Sequence, residues 1–176
     1  MVNTDFSDTA RGSFRVLFIY LFIALMFMLS LANIPLLGAG IVRPAFLLIA
    51  IYFWTITRPS LLPLPVVFVI GLLYDVASAS VLGLHTFAFM VVVILVRSQR
   101  RYLLGQTWPV LWVGFAIAAL ILNVIQALVF LAGSGHMPSL WLIFANVLVS
   151  ALSYPLAAPL MIGLNRFLTV AKHDYT

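Results

Sequence analysis

The fold of this chain is decided by one uncharged stretch, residues 110–132, which reads VLWVGFAIAALILNVIQALVFLA. A helix that crosses the hydrocarbon core of a bilayer needs about 20 mostly apolar residues, and this stretch supplies them. Residues 16–32, 65–74 and 140–153 are also free of charged side chains. The sequence therefore predicts an all-α integral membrane protein.

The composition supports lipid as the solvent of this chain. Its 176 residues are 65% hydrophobic and 7% charged, whereas a soluble domain carries about a quarter charged residues. Of the four acids, only Asp75 lies away from the chain ends. There is no cysteine, which excludes disulfides and thiolate metal sites.

The apolar runs and their punctuation predict six transmembrane helices in one domain that covers residues 1–176. Pro44 stands at a favourable first-turn position of the second helix. We expect the sixth helix to be broken near Pro155 and Pro159. The predicted helices cover residues 14–36, 44–57, 61–80, 82–96, 108–131 and 138–164.

The positive charges predict the orientation of the spans. Lysine and arginine accumulate on the cytoplasmic side of a membrane, close to the ends of the spans. With six spans and both termini in the cytoplasm, Arg43 is the one basic residue that falls outside. Because topology accounts for the net charge of +5, we predict no nucleic-acid partner. The predicted cytoplasmic residues are Arg11, Arg15, Arg58, Arg97, Arg100, Arg101, Arg166 and Lys172.

Asp75 is the candidate functional residue that stands out most. It lies roughly 21 Å from the cytoplasmic end of the third helix, where an acid costs about 2.5–3.5 kcal/mol on insertion scales and needs a partner. Arg43 is the natural partner, because Arg43 and Arg58 are only about 22 Å apart along a straight helix. Either Arg43 is drawn inward, the bilayer thins, or part of residues 36–42 is re-entrant.

We therefore predict a buried Arg43–Asp75 pair between the second and third helices. In the alternative, Arg43 reaches lipid phosphate while Ser78 or a backbone amide caps Asp75. A lone histidine, His85, follows the turn at Gly83, and we interpret it as structural rather than as a proton relay.

A polar stripe follows one face of the sixth helix, at Asn146, Ser150 and Ser153. Interhelical hydrogen bonds in lipid are worth about 0.6–2 kcal/mol each, so the stripe predicts helix packing. The alternatives are a substrate path and a contact with another protein's helix. No catalytic motif is present, so we predict no enzyme, no metal and no cofactor.

Three stretches resemble the rod shape-determining protein MreD family of bacteria. They are RPAFLLIAIYFW at residues 43–54, GLLYD at residues 71–75, and the pair Leu82 and Gly83. The resemblance extends over the whole chain in length, helix count and small charged loops, and its specific part is residues 43–89. The resemblance implies five structural or partner-binding candidates in this chain: Arg43, Pro44, Gly71, Asp75 and Gly83.

The resemblance implies a non-enzymatic scaffold of the elongasome in the bacterial cytoplasmic (inner) membrane. Such a scaffold would bind MreC, and through it MreB, RodA and the transpeptidase of RodA, to support cell shape and side-wall peptidoglycan synthesis. It also implies similarity to the substrate-binding subunits of vitamin transporters. The competing hypothesis is a small-molecule binding or transport subunit, with Arg43 and Asp75 lining an outer cavity. A sealed outer half favours the scaffold, and a hydrated cavity of a few hundred Å³ or more favours the transporter.

Overall fold

The computed structural model describes the backbone of residues 4–32, 34–36, 40–42, 44–136 and 138–170, and the side chains of residues 17–32, 44–136 and 138–163. Each of the six predicted helices has a counterpart, and a short additional helix, α5, lies in the basic link after α4. The elements in chain order are α1 (Thr4–Ser30), β1 (Ile34–Leu36), β2 (Gly40–Val42), α2 (Phe46–Thr57), α3 (Leu64–Ala77), α4 (Leu84–Ser98), α5 (Arg100–Leu103), α6 (Trp108–Ser134) and α7 (Leu140–Val170).

The first helix is shorter than predicted, because a β-hairpin replaces its last turn. The prediction that it extends to residue 36 is wrong: α1 ends at Ser30, and β1 pairs antiparallel with β2, with Ile34 opposite Val42. Pro35 explains the difference. Proline has no amide N–H to donate inside a helix, and it pushes the preceding residue toward extended backbone.

The last helix is longer and more regular than predicted. The predicted break near Pro155 and Pro159 is wrong, because α7 continues through both prolines. Tyr154 and Met161, which flank them, are buried against the rest of the bundle. Packing of this kind explains the continuity, since neighbouring helices compensate for the backbone bonds that proline removes in membrane helices.

Helix α2 is the centre of the bundle. Every residue from Leu47 to Ile56 is buried, and α2 contacts α1, α4, α6 and α7. A helix that is apolar all round is buried on all sides. At about 18 Å, α2 is shorter than the hydrocarbon core of a bilayer.

Among the residues whose side chains the structure describes, two helical segments are long and apolar enough to cross a membrane. They are α6, Trp108–Ser134, and the part Leu140–Gly163 of α7, with mean hydropathies of 2.5 and 1.7. Most of their residues are not buried, and the outer face of α6 exposes Val113, Ile117 and Leu128. A continuous apolar exterior of this extent suits lipid better than water. Four shorter apolar helices accompany them, Leu17–Ser30, Phe46–Thr57, Leu64–Ala77 and Leu84–Ser98.

The two ends of the bundle differ in chemistry. At one end, Arg97 donates to the carbonyl oxygen of Leu62 at 2.6 Å, and Arg100 donates to that of Ile56 at 2.8 Å. These guanidinium groups lie at the carboxyl end of α2, where the helix dipole favours positive charge. The opposite end carries the turn between α3 and α4, and this turn forms the candidate functional site.

Candidate functional site

Asp75 lies in the last turn of α3 with its side chain fully buried. Its Oδ1 atom accepts from Ser80 Oγ at 3.0 Å, from the His85 backbone N–H at 2.9 Å, and lies 2.8 Å from His85 Nδ1. Its Oδ2 atom accepts from the Gly83 N–H at 2.9 Å and from the hydroxyl and N–H of Thr86 at 2.9 and 3.3 Å. The carboxylate is therefore surrounded by donors on both oxygens.

These donors converge because Asp75 caps the start of the next helix. Gly83 is the N-cap of α4 and offers no side chain of its own, while His85 and Thr86 belong to the first turn. The first amides of a helix have no partner within the helix, and they form the positive end of its dipole. Asp75 supplies the missing acceptor from α3, and the turn closes with Gly83 at φ 90°, a conformation that glycine adopts without strain.

Gly71 lets α3 and α4 approach closely enough for this cap to form. A Cβ atom at Gly71 would lie only 2.6 Å from the Cα atom of Thr86. Gly71 precedes Asp75 by one helical turn, so both residues share the face of α3 that contacts α4. The sequence-predicted residues Gly71, Asp75 and Gly83 are thus brought together in one structural unit.

His85 extends this unit into the centre of the protein. With Nδ1–H donated to Asp75, the Nε2 atom of His85 accepts from the Gln126 amide on α6 at 2.9 Å. The Tyr74 ring contacts the imidazole edge to face, with centroids 4.7 Å apart, and its hydroxyl donates to the carbonyl oxygen of Ser30 at 3.0 Å. The Asp75 cap is therefore connected to α1 and α6.

A cavity of about 980 Å³ lies beside His85, at the end of the bundle that carries the turns after α3 and α6. Its wall is mainly apolar and includes Leu47, Leu48, Phe89, Leu122, Phe130, Leu142 and Ile143. None of the described lining residues is Asp, Glu, Lys or Arg. Asp75 itself is fully buried and is not part of the described wall, because His85 stands on the cavity side of it. The polar residues of the wall include Ser30, His85, Asn123, Gln126 and Asn146.

The predicted polar stripe of α7 divides into three different environments. The Oγ atom of Ser150 accepts from the backbone N–H of Ala45 at 3.1 Å and so links α7 to the residue before α2. Ser153 donates to Val149 of its own helix at 2.7 Å. Asn146 faces the cavity. The predicted place of Pro44 in the first turn of the second helix is wrong, because α2 begins at Phe46 with Ala45 as its N-cap. Pro44 is buried just before the helix, and its carbonyl oxygen accepts from the N–H of Phe46 at 2.9 Å.

The predicted partner of Asp75, Arg43, lies outside the described residues, so the Arg43–Asp75 pair stays a prediction. The alternative in which backbone amides cap Asp75 agrees with the structure, except that Ser78 donates to the carbonyl oxygen of Tyr74 at 2.7 Å and not to the carboxylate. The contact with His85 was missed by sequence reasoning. The sequence did contain a signal for this contact: Asp75 lies at the end of one predicted helix, shortly before the next predicted helix begins.

Within the described ranges, no group of three or more His, Cys, Asp or Glu side chains could hold a metal ion. The arrangement holds helices together and borders a cavity.

Comparisons with protein-family models and with curated proteins both identify the same family. The family model described as rod shape-determining protein MreD matches residues 10–168. A curated relative, "Rod shape-determining protein MreD" of Haemophilus influenzae, is 27% identical over 115 residues, which are 62% of this chain and 65% of the relative. The match thus spans slightly less than two thirds of that relative. No solved structure matches the chain, so similarity to the vitamin-transporter subunits stays a prediction. Because the family model covers most of the sequence, the chain belongs to the rod shape-determining protein MreD family.

Proposed function

We propose that this chain is a membrane scaffold of the bacterial elongasome that binds MreC and supports rod shape and side-wall peptidoglycan synthesis. Family membership supports a role in determining rod shape. The observation that carries the scaffold mechanism is an apolar groove of about 650 Å³ between α1 and α3. We propose that the groove receives the single membrane-spanning helix of MreC.

The chemistry of the groove suits a helix within the bilayer. Tyr20 is the one hydroxyl-bearing residue among the lining residues that the structure describes, and that hydroxyl donates to the carbonyl oxygen of Leu61 at 2.9 Å. Leu21, Leu25 and Leu73 present exposed apolar surface, and in lipid such shaped surfaces associate through van der Waals packing. The described lining consists of Phe18, Tyr20, Leu21, Phe22, Ile23, Ala24, Leu25, Phe27 and Met28 of α1 with Ile70 and Leu73 of α3.

The proposal includes six spans, both termini in the cytoplasm, and a place in the inner membrane. In its favour, Arg58, Arg97 and Arg100 gather at one end of the bundle. The Asp75 cap and the cavity lie at the other end, which would face outward. This separation is what the tendency of basic residues to remain cytoplasmic requires.

Co-purification tests the scaffold and its groove. The tagged chain, extracted from its host in mild detergent, should recover MreC directly, and MreB, RodA and its transpeptidase through MreC. Ala24→Phe fills the groove and should reduce recovered MreC several-fold, whereas Ala132→Phe, on an exposed part of α6, should not. Absence of MreC from the unaltered sample contradicts the scaffold. Equal recovery with Ala24→Phe contradicts the groove.

The cavity beside His85 favours a second candidate, a small-molecule binding or transport subunit. Its volume of about 980 Å³ exceeds the few hundred Å³ that this hypothesis requires. Deletion of the gene in a rod-shaped host separates the candidates. The scaffold predicts rounded, widened cells with normal uptake of small molecules. The transport subunit predicts unchanged rods that need a specific external nutrient.

A further inference from the structure

Two side-chain amides of α6 face the cavity with unused acceptors. Asn123 and Gln126 are one helical turn apart and both line the wall. The Nδ2 atom of Asn123 donates to the carbonyl oxygen of Ala119 at 2.9 Å, and the Nε2 atom of Gln126 lies 2.9 Å from His85 Nε2. Within the part of the chain that the structure describes, the two amide oxygens accept no hydrogen bond.

Such acceptors are costly in apolar surroundings. Among the described residues, the buried side-chain atoms without a partner are Trp54 Nε1, Thr55 Oγ1 and Arg97 Nε, so the two amide oxygens are accessible from the cavity. An occupant that covers them without offering a donor would remove their hydration at a cost, so the site favours an occupant that can donate. Here the neighbouring wall is formed by Leu122, Phe130 and Ile143. An occupant with a hydrogen-bond donor would satisfy one of these oxygens, and an occupant with two donor hydrogens could satisfy both.

The Asp75–His85 pair gives this arrangement a fixed orientation. Because His85 donates its Nδ1–H to Asp75, its Nε2 atom is left as an acceptor, and it accepts a hydrogen bond from the amide NH₂ of Gln126. The oxygen of Gln126 is then the end that is left for an occupant. Asp75 and His85 are positioning residues in this scheme, since their own polar atoms already have partners.

We infer that the cavity is a binding site for an uncharged amphipathic molecule, with a hydrogen-bonding head at Asn123 and Gln126 and a hydrocarbon body along the apolar wall. The described wall offers no formal charge to pair with an ionic head. The volume of about 980 Å³ lies at the upper end of the roughly 300–1,000 Å³ typical of ligand pockets. This inference is independent of MreC binding in the groove.

Two sources could supply this chemistry, a neutral membrane lipid and a water-soluble small molecule. Dioctanoylglycerol represents the lipid, and hexanamide represents the soluble molecule. Dioctanoyl phosphatidic acid has the same chains as dioctanoylglycerol but a charged head. The measurement is thermal unfolding of the full-length protein in phosphatidylcholine nanodiscs with each probe, because a ligand that binds only the folded state raises the unfolding temperature.

We expect dioctanoylglycerol, hexanamide or both to raise the unfolding temperature of the unaltered protein by about 3 °C or more at saturation. The double change Asn123→Leu with Gln126→Leu should raise the half-saturating concentration at least about tenfold. Gln106→Leu, an amide outside the cavity, is the matched control and should bind normally. Ala127→Phe narrows the cavity while leaving both amide side chains in the sequence, and should abolish the shift even if the double variant fails to fold.

Each result has one meaning. A shift by dioctanoylglycerol alone assigns a lipid source, and a shift by hexanamide alone assigns a soluble source. Shifts by both support the shared chemistry. No shift by either probe, or an undiminished shift in Ala127→Phe, overturns the site. A larger shift with phosphatidic acid overturns the uncharged head. Recovery of MreC by Ala127→Phe should be normal, so failure here does not affect the scaffold proposal.

Discussion

Asp75 and His85 are joined twice by a single oxygen atom: Asp75 Oδ1 lies 2.8 Å from His85 Nδ1 and accepts the His85 backbone N–H at 2.9 Å. The contact fixes both the start of α4 and the orientation of the imidazole. It also gives a fully buried carboxylate the hydrogen-bond partners that such a group requires. The pair connects the helix cap at Asp75 to the cavity wall.

The carboxylate of Asp75 should be indispensable to the folded state. Asp75→Asn preserves the side-chain shape but places an NH₂ group against donors that need an oxygen. We expect a loss of at least about 3 kcal/mol, because Asp75 accepts several hydrogen bonds and each bond to a charged group is worth about 1.5–3 kcal/mol. The measurement is a lower unfolding temperature in detergent. Thr86→Val, which removes one donor, should cost about 1.5–3 kcal/mol. Thr86→Ser keeps the hydroxyl and is the control. An Asp75→Asn protein as stable as the parent would show that the cap contributes little.

Double-mutant cycles should separate the observed partner of Asp75 from the predicted one. Asp75→Ala and His85→Ala should couple by more than about 0.5 kcal/mol, because the pair is in direct contact. The Arg43–Asp75 pair predicts a similar coupling between Arg43→Ala and Asp75→Ala, with the double variant milder than the sum. Both cycles are read from thermal unfolding in detergent. Strict additivity for Arg43 would leave His85 as the partner of the charge and would disprove the Arg43 pair.

The positions of the helices could be read from the sequence because uncharged runs and basic links mark them directly. The hairpin could not be read in the same way, since residues 34–42 are as apolar as the helix before them. Pro35, Gly38 and Gly40 indicate a break in the helix but do not specify two paired strands. The prolines of α7 misled the prediction for the opposite reason. Their effect depends on the packing of Tyr154 and Met161, which a single sequence does not reveal.

The site was predictable in part. Asp75 was identified because an isolated acid in an apolar chain needs a partner, and Gly71 and Gly83 were identified through the family resemblance. The choice of His85 as a contact depends on the path of the turn after α3, where Ala79 and Gly83 both have positive φ. The unused acceptors of Asn123 and Gln126 depend on which face of α6 borders the cavity. Neither relationship follows from residue spacing within one helix.

Cysteines introduced at Ser98 and Ser134 should react from opposite sides of the membrane. Both positions are exposed, and they end α4 and α6, which run in opposite directions between the basic end and the cavity end. The proposed topology places Ser134 outside. The measurement is labelling of intact cells with a membrane-impermeant maleimide, with permeabilised cells as the control for reactivity. Labelling of both cysteines from the same side would contradict the six-span arrangement.

A methyl group at Gly71 should separate α3 from α4 and so weaken the Asp75 cap without altering any polar atom. In Gly71→Ala the new Cβ would meet the backbone of Thr86 at 2.6 Å, and backbone cannot move aside as a flexible side chain can. Overpacking of this kind costs about 1–3 kcal/mol, which should appear as a lower unfolding temperature in detergent. Gly163→Ala is the matched control, because it also lies in a helix but has no atom within 4 Å of its added Cβ. Helix propensity alone favours alanine over glycine by up to about 1 kcal/mol at both positions. The control should therefore be neutral or stabilising, and a Gly71→Ala protein that behaves like it would show that close approach of α3 and α4 is not what positions Asp75.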